Sequence, residues 1–317
     1  MQLADEEGQK TGRWRLSAFG LAVESEFALP GVHDDDGRPL PREQLVLRLV
    51  SREELEPLAR EARVLSWLYV FDDCPYAMLE GADGDVLIHY GHRALFHLSA
   101  DRQVLRCAPT DIDDPTWQRV LMDTVLWTAS LLRGYELLHA SAVQTEGGVV
   151  AFLAGSGGGK TSLAAEHLRR GSVLFCDDIL ALDDSGAHVM AAPGPPVMNL
   201  PRHLVPDLVG ETNVIADFGE EQWVVVDQPP LAAQRLAALV LVDRAAGRAS
   251  GCSELEGTSL TLLPHAIRYP HLPARERRRF EICGRVAATT AVLHLTADPS
   301  VSTAVLADLV EQRIASL

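Results

Sequence analysis

The sequence predicts an α/β protein with three parts: a smaller, mostly-β N-terminal domain over 1–112, a bridging helix over 113–134, and an α/β sandwich over 135–317. Three observations predict it. Short apolar runs with turn signals between them fill the first 112 residues. One stretch of helical periodicity follows. Beyond it, strand-like and helix-like segments alternate, which is the pattern of helices packed on a sheet. A chain of 317 residues with 47% hydrophobic and 23% charged residues is long enough to bury a large core.

In the first part the runs are LVLRLV (45–50), SWLYVF (66–71), DVLIHY (85–90) and ALFHLS (94–99). Asp36-Gly37 and Asp83-Gly84, with Gly81 just ahead of the second pair, punctuate hairpins. The expectation is mostly antiparallel β with a helical interlude near 52–62. No residues here have catalytic spacing, and a role in substrate recognition is the expectation.

The bridging helix begins with Asp114 as cap and Pro115 at the first helical position, and ends at Gly134. Trp117, Val120, Leu121, Thr124, Thr128, Leu131 and Leu132 share one face at helical spacing, which reads as core packing.

In the third part ELLHASAV (136–143) reads as a strand, TEGG (145–148) as a turn and VVAFLA (149–154) as a second strand. A glycine loop and the helix KTSLAAEHLRR (160–170) follow, then the strand VLFCDD (173–178) and a hairpin over 179–192 turning at Asp184-Ser185-Gly186. A proline-rich loop spans about 193–222; long loops of this kind serve as substrate loops or lids. Next come a strand at 237–243, a helix around 273–288, a strand at 291–296 and a last helix over about 299–315.

A net charge of −16 argues against wholesale binding to nucleic acid or to an anionic membrane. The start, MQLADEEGQK, is too polar for a signal peptide, and the longest uncharged stretch, Ser185 to Pro201, contains four prolines. The expectation is a cytoplasmic protein, with oligomeric state open. Five cysteines without a C-x-x-C pair signal neither a zinc site nor a disulfide framework.

The strongest chemical signal is A-G-S-G-G-G-K-T (154–161) between a strand and a helix. It fits the phosphate-loop pattern G-x-x-x-x-G-K-[ST] at Gly159, Lys160 and Thr161, with Ala154 in place of the first glycine. Gly155, Ser156, Gly157, Gly158 and Gly159 let the backbone curl its N–H groups toward a phosphate. The helix N-terminus at Lys160, Thr161 and Ser162 favours the same anion. Lys160 has the reach of the β- and γ-phosphates, and the Thr161 hydroxyl is a Mg²⁺ ligand. The bland alternative is a flexible glycine linker, which does not require the flanking strand and helix. The second signal is Asp177-Asp178 at the end of VLFC. Carboxylates at the C-terminal edge of a parallel strand face the ligand crevice, where one can hold Mg²⁺ and the other can take a hydroxyl proton. The third is His139, which spacing alone does not distinguish from a packed bystander.

Weaker signals are basic. Arg275, Arg278 and Arg279 share a helix face that is either solvated or an anion site. Arg268 stands just before that helix. Arg169 and Arg170 close the loop helix and complement its dipole.

Together L-L-H-A-S-A-V, A-F-L-A-G-S-G-G-G-K-T-S-L-A-A and V-L-F-C-D-D resemble the C-terminal domain of the HPr kinase/phosphorylase family, and more closely the HPr kinase-like proteins, lasso-peptide kinases included, that accompany peptide-modifying enzymes. The resemblance is carried by about 135–185 and does not reach 1–112. It implies a P-loop kinase fold of the HPr kinase and phosphoenolpyruvate carboxykinase type, with an antiparallel hairpin ahead of the loop. It implies transfer of phosphate from ATP, with Mg²⁺, to a serine hydroxyl of a peptide or small protein. By position it makes Lys160 and Thr161 phosphate and Mg²⁺ ligands and Asp177 the general base. Asp178 assists that base or the metal, and His139 lies near the phosphates. The family's downstream signature is absent: F-G-E-E-Q-W-V-V-V (218–226) offers Glu220 and Glu221 but no glycine-arginine pair. Neither HPr as substrate nor reverse phosphorolysis is therefore implied. The competing expectations are a small-molecule hydroxyl kinase and a nucleotide-binding switch that transfers nothing.

Overall fold

Tight turns and alternating apolar residues organise the first sheet. The computed structural model describes residues 13–32, 44–71, 74–210, 213–229, 231–268 and 273–317. β1 (Trp14–Ala18) and β2 (Leu21–Ser25) form a hairpin closed by Phe19-Gly20, both at positive φ (54° and 81°). Two left-handed residues make the turn whose twist matches antiparallel strands. The predicted runs become β3 (Gln44–Leu49), β4 (Arg63–Phe71), β6 (Val86–Tyr90) and β7 (Ala94–Leu98), joined by β5 (Cys74–Glu80) and β8 (Val104–Pro109). The interlude is α1 (Arg52–Glu61), started by a Ser51–Glu54 capping box. The eight strands run in the order β1-β2-β3-β8-β7-β6-β5-β4. Most pairs are antiparallel, but β3 lies parallel to both β2 and β8, so the sheet is mixed. Asp83-Gly84 does turn the chain between β5 and β6, with Gly84 at φ 79°; Asp36-Gly37 lies outside the described residues.

The bridging helix is three pieces: α2 (Thr116–Val120), a π-turn (Leu121–Val125) and α3 (Leu126–Leu132). Asp114 accepts from the Thr116 N–H at 3.0 Å, and Gly134 ends the run at φ 106°. The expectation of one apolar face is corrected. Leu121, Met122 and Val125 to Leu131 are all buried, because the helix lies between two sheets. One apolar cluster joins Leu16, Val23, Met78 and Phe96 of the first sheet to the helix and to Leu137, Ile179, Ala192, Val197 and Trp223 beyond it.

The second sheet begins with β9 (Glu136–Thr145) and β10 (Gly148–Leu153), antiparallel, then α4 (Lys160–Arg169). β11 (Val173–Cys176) and β12 (Ile179–Asp183) both pair with β9, and β13 (Met190–Ala192) pairs with β12. β17 (Gln234–Arg244) lies parallel between β10 and β19 (Ala291–Ala297), and β18 (Gly251–Glu254) closes the edge. α7 (Pro273–Thr289) and α8 (Thr303–Ile314) occupy the two last predicted helices. The segment 193–222 is not a long irregular loop. It holds β14 (Val197–Pro201), α5 (Val205–Leu208), β15 (Val214–Asp217) and the start of β16 (Glu221–Val225), and the three strands form a small sheet. Its strands are short, and prolines at their ends masked the alternation. A further short helix, α6 (Ser259–Leu262), precedes α7. Among the described residues no helix is long and apolar enough to cross a membrane.

The basic stretch on α7 is a staple. Arg275 donates to the Leu131 and Tyr135 carbonyls and to the buried Glu136 carboxylate at 2.6 Å. Arg278 reaches Asp184 at 2.5 Å and the Gly134 carbonyl. Arg279 pairs with Glu276, and Arg268 is exposed beside the same glutamate at 3.4 Å. Arg170 pins α4 to α8 through Asp308 at 2.7 Å and the Ala304 carbonyl.

Candidate active site

The loop between β10 and α4 has the curl its glycines allow. Gly157 and Gly159 sit at φ 69° and 94°, where a side chain strains the backbone. Ala154, the departure from the phosphate-loop pattern, is buried and keeps a negative φ. Its methyl occupies space that a side chain at 158 would need: a Cβ on Gly158 would lie 2.5 Å from the Ala154 Cβ. The glycine missing at 154 is therefore matched by one present at 158. Gly155, Ser156 and Gly157 are exposed at the rim, whereas Lys160 is buried with its Nζ 3.5 Å from the Ala154 carbonyl.

Loop and acids share a cavity of about 340 Å³. Its walls include Ser156 to Ser162, His139, Asp177, Asp178, Arg119 and Asn199. The aspartates do not end a parallel strand, as expected, because β11 runs antiparallel to β9. They lie in the kink between β11 and β12, where the chain changes its pairing on β9 from residues 142–144 to residues 136–139. In an even strand, consecutive side chains point to opposite faces. Here Asp178 adopts φ 65°, and both carboxylates reach the same cavity.

Their environments differ. Asp177 Oδ1 accepts from the Ser141 hydroxyl at 2.7 Å and the Thr161 hydroxyl at 3.0 Å, and Oδ2 accepts from the Asn199 N–H at 3.0 Å. Burial, with the neighbouring Asp178 charge, pushes its pKa up to about 6. The Asp178 side chain is more exposed, and its Oδ1 is 2.8 Å from His139 Nε2. Partial burial opposes its ionisation, but the His139 hydrogen bond and the charges of His139, Lys160 and Arg119 outweigh it and hold the carboxyl below its usual range. His139 is thus a partner of the acid pair and no bystander.

The Mg²⁺ expected from the sequence would meet hard oxygen donors here: the Thr161 hydroxyl and two carboxylates, the set such an ion takes alongside phosphate oxygens and water. Among the described residues no group of three or more His, Cys, Asp or Glu side chains is gathered to hold a metal unaided.

Four residues of the site escaped the sequence reading. Ser141 is two residues from His139 on β9, so strand alternation puts both on one face; that signal was present. Asn199 comes from β14, inside the segment read as loop. Arg119 and Asp123 come from the bridging helix. The Asp123 carboxylate accepts from Asn199 Nδ2 at 3.2 Å and lies 3.6 Å from Arg119 Nε. Burial raises the Asp123 pKa to about 7 against the opposing pull of Arg119.

No family model and no curated protein matches the chain. Among solved structures it has a distant likeness to the HPr(Ser) kinase/phosphatase from Coxiella burnetii. That likeness has 11% identity and a TM-score of 0.31, and covers 57% of this chain and 97% of that one. A likeness so slight bears on neither activity nor site.

Proposed function

We propose that the chain is a Mg²⁺-dependent kinase that moves the γ-phosphoryl group of ATP to a hydroxyl, a serine of a peptide or small protein. The observation that carries this reading is the 3.0 Å hydrogen bond from Thr161 on the phosphate loop to Asp177. It joins a triphosphate cradle to an acid pair in one cavity, which a glycine linker would not do.

In this reading the loop N–H groups and the α4 N-terminus hold the β- and γ-phosphates, and Lys160 swings from the Ala154 carbonyl onto them. Thr161 and Asp177 would hold Mg²⁺, which supplies charge neutralisation to the phosphates when bound. The two acids divide their work opposite to what the family resemblance implies. Asp177 has both oxygens engaged by three donors. Asp178 is open to the cavity, ionised and oriented by His139. Asp178 therefore takes the acceptor hydroxyl proton while that oxygen bonds to the γ-phosphorus and the bridging oxygen leaves with ADP.

Incubation with labelled ATP, Mg²⁺ and candidate peptides or small hydroxyl compounds tests this. Label on a serine supports it, and label on a metabolite moves the reading to a small-molecule kinase. Tight ATP binding with no transfer under any acceptor leaves a nucleotide switch.

A further inference from the structure

The bridging helix brings a cation to the cavity that neither phosphate loop nor acid pair accounts for. Arg119 is largely buried, yet it lines the cavity alongside the loop. Its guanidinium lies 4.2 Å from the centroid of the Phe218 ring, and its Nε 3.6 Å from Asp123 Oδ2. Asp123 is tied in turn to Asn199, whose backbone N–H holds Asp177. The aromatic face and the carboxylate fix the arginine's direction, so little freedom remains to be lost when it meets an anion. The π-turn starting two residues after Arg119 is the local device. A one-residue insertion in a helix re-aims side chains and recurs at functional sites.

Resting on the kinase reading, we infer that Arg119 contacts the phosphoryl group in flight, from the bridging-helix wall of the cavity. During transfer the charge of that group is spread over three equatorial oxygens in one plane, and a planar guanidinium matches them better than a point charge does. Asp123 and Phe218 are positioning residues for it.

The test needs no acceptor. Binding of MgADP alone, and of MgADP with aluminium fluoride as mimic of the transferred group, is measured by calorimetry. The proteins are wild type, Arg119→Ala, Arg119→Lys, Arg119→Gln and Lys160→Ala. The expected result is MgADP affinity within about threefold of wild type in the Arg119 variants. The additional gain with aluminium fluoride should fall by roughly 10²-fold or more in Arg119→Ala, and partly in Arg119→Lys, which keeps charge without the fork. An undiminished gain in Arg119→Ala overturns the inference, and so does a wild type that binds MgADP with no gain. Equal loss of MgADP and fluoride binding would mark Arg119 as structural and also overturn it. If Arg119→Ala melts, Arg119→Gln retains a polar stem against Asp123 and reads the same split. Failure of the kinase reading looks different: wild type and Lys160→Ala then bind MgADP alike or not at all.

Discussion

Alanine at position 158 is expected to cripple the phosphate loop, and glycine at position 154 to repair it. Gly158 has an ordinary φ, so the backbone itself tolerates alanine there. The obstacle is steric: the new Cβ would lie 2.5 Å from the Ala154 Cβ and 3.0 Å from the Gly155 carbonyl oxygen. Carbon atoms rest about 3.5–4.0 Å apart, so the loop must give by roughly 1 Å or more. Overpacking of this kind costs about 1–3 kcal/mol. On the kinase reading the shape the loop needs to cradle phosphate absorbs it, which corresponds to a roughly 5- to 150-fold loss of MgATP affinity. Ala154→Gly alone removes the methyl and loosens the loop by about 0.5–1 kcal/mol. Of the two tight contacts, the double variant keeps the one at the Gly155 carbonyl and should recover most of the affinity. Calorimetry with MgATP and thermal melts on all four proteins form a double-mutant cycle. Additive effects, or wild-type affinity in Gly158→Ala, would refute the reasoning.

Other outcomes follow from the same structure. Asp178→Asn should lower transfer by roughly 10²–10⁴-fold with MgATP binding nearly unchanged, whereas Asp177→Asn should also raise the Mg²⁺ concentration for half activity; titrations with the true acceptor check both, and the reverse pattern returns the base role to Asp177. Arg275→Met strips the buried Glu136 of its closest partner. It should destabilise the fold by about 3 kcal/mol, less whatever Arg278 retains, with MgATP affinity unaltered; denaturant melts and calorimetry separate these, and lost nucleotide binding without lost stability would make the stretch a ligand site. His97 is buried beside Arg106, and burial foremost holds its pKa below the ordinary imidazole value, against the hydrogen bond to Asp85. Its folded pKa is the depressed one, so the unfolded chain takes up more protons and stability is lost as pH falls below about 6.5; His97→Gln should melt with a shallower slope between pH 7 and 5, and an unchanged slope would place the acid sensitivity elsewhere.

Local features were legible in the sequence and remote ones were not. The loop, its helix and the hairpin ahead of it are written in contiguous residues, because glycine spacing and strand alternation act over a few positions. The Phe19-Gly20 turn was missed because phenylalanine at positive φ breaks the usual turn chemistry; burial of Phe19 and the half-buried Tyr135 hydroxyl, which donates to the Gly20 carbonyl, hold it. Asn199 is 22 residues from Asp177 in sequence and joins it only once β14 is in place. The π-turn left no mark: Arg119 and Asp123 are four apart, the spacing of an ordinary surface ion pair.

The packing of the central helix sets the smallest unit that keeps the cavity whole. Residues 135–317 lifted out alone would open a face made of Leu137, Ile179, Ala181, Ala192, Val197 and Trp223, which in the whole chain meets the helix and first sheet. The excised piece would keep an intact loop but lose Arg119 from the cavity wall and Asp123 from behind Asn199. A gene fusion or truncation that breaks at Gly134 would thus yield a sticky fragment whose cavity lacks its Arg119 wall. A piece that keeps the cavity wall whole has to carry the helix with the second sheet.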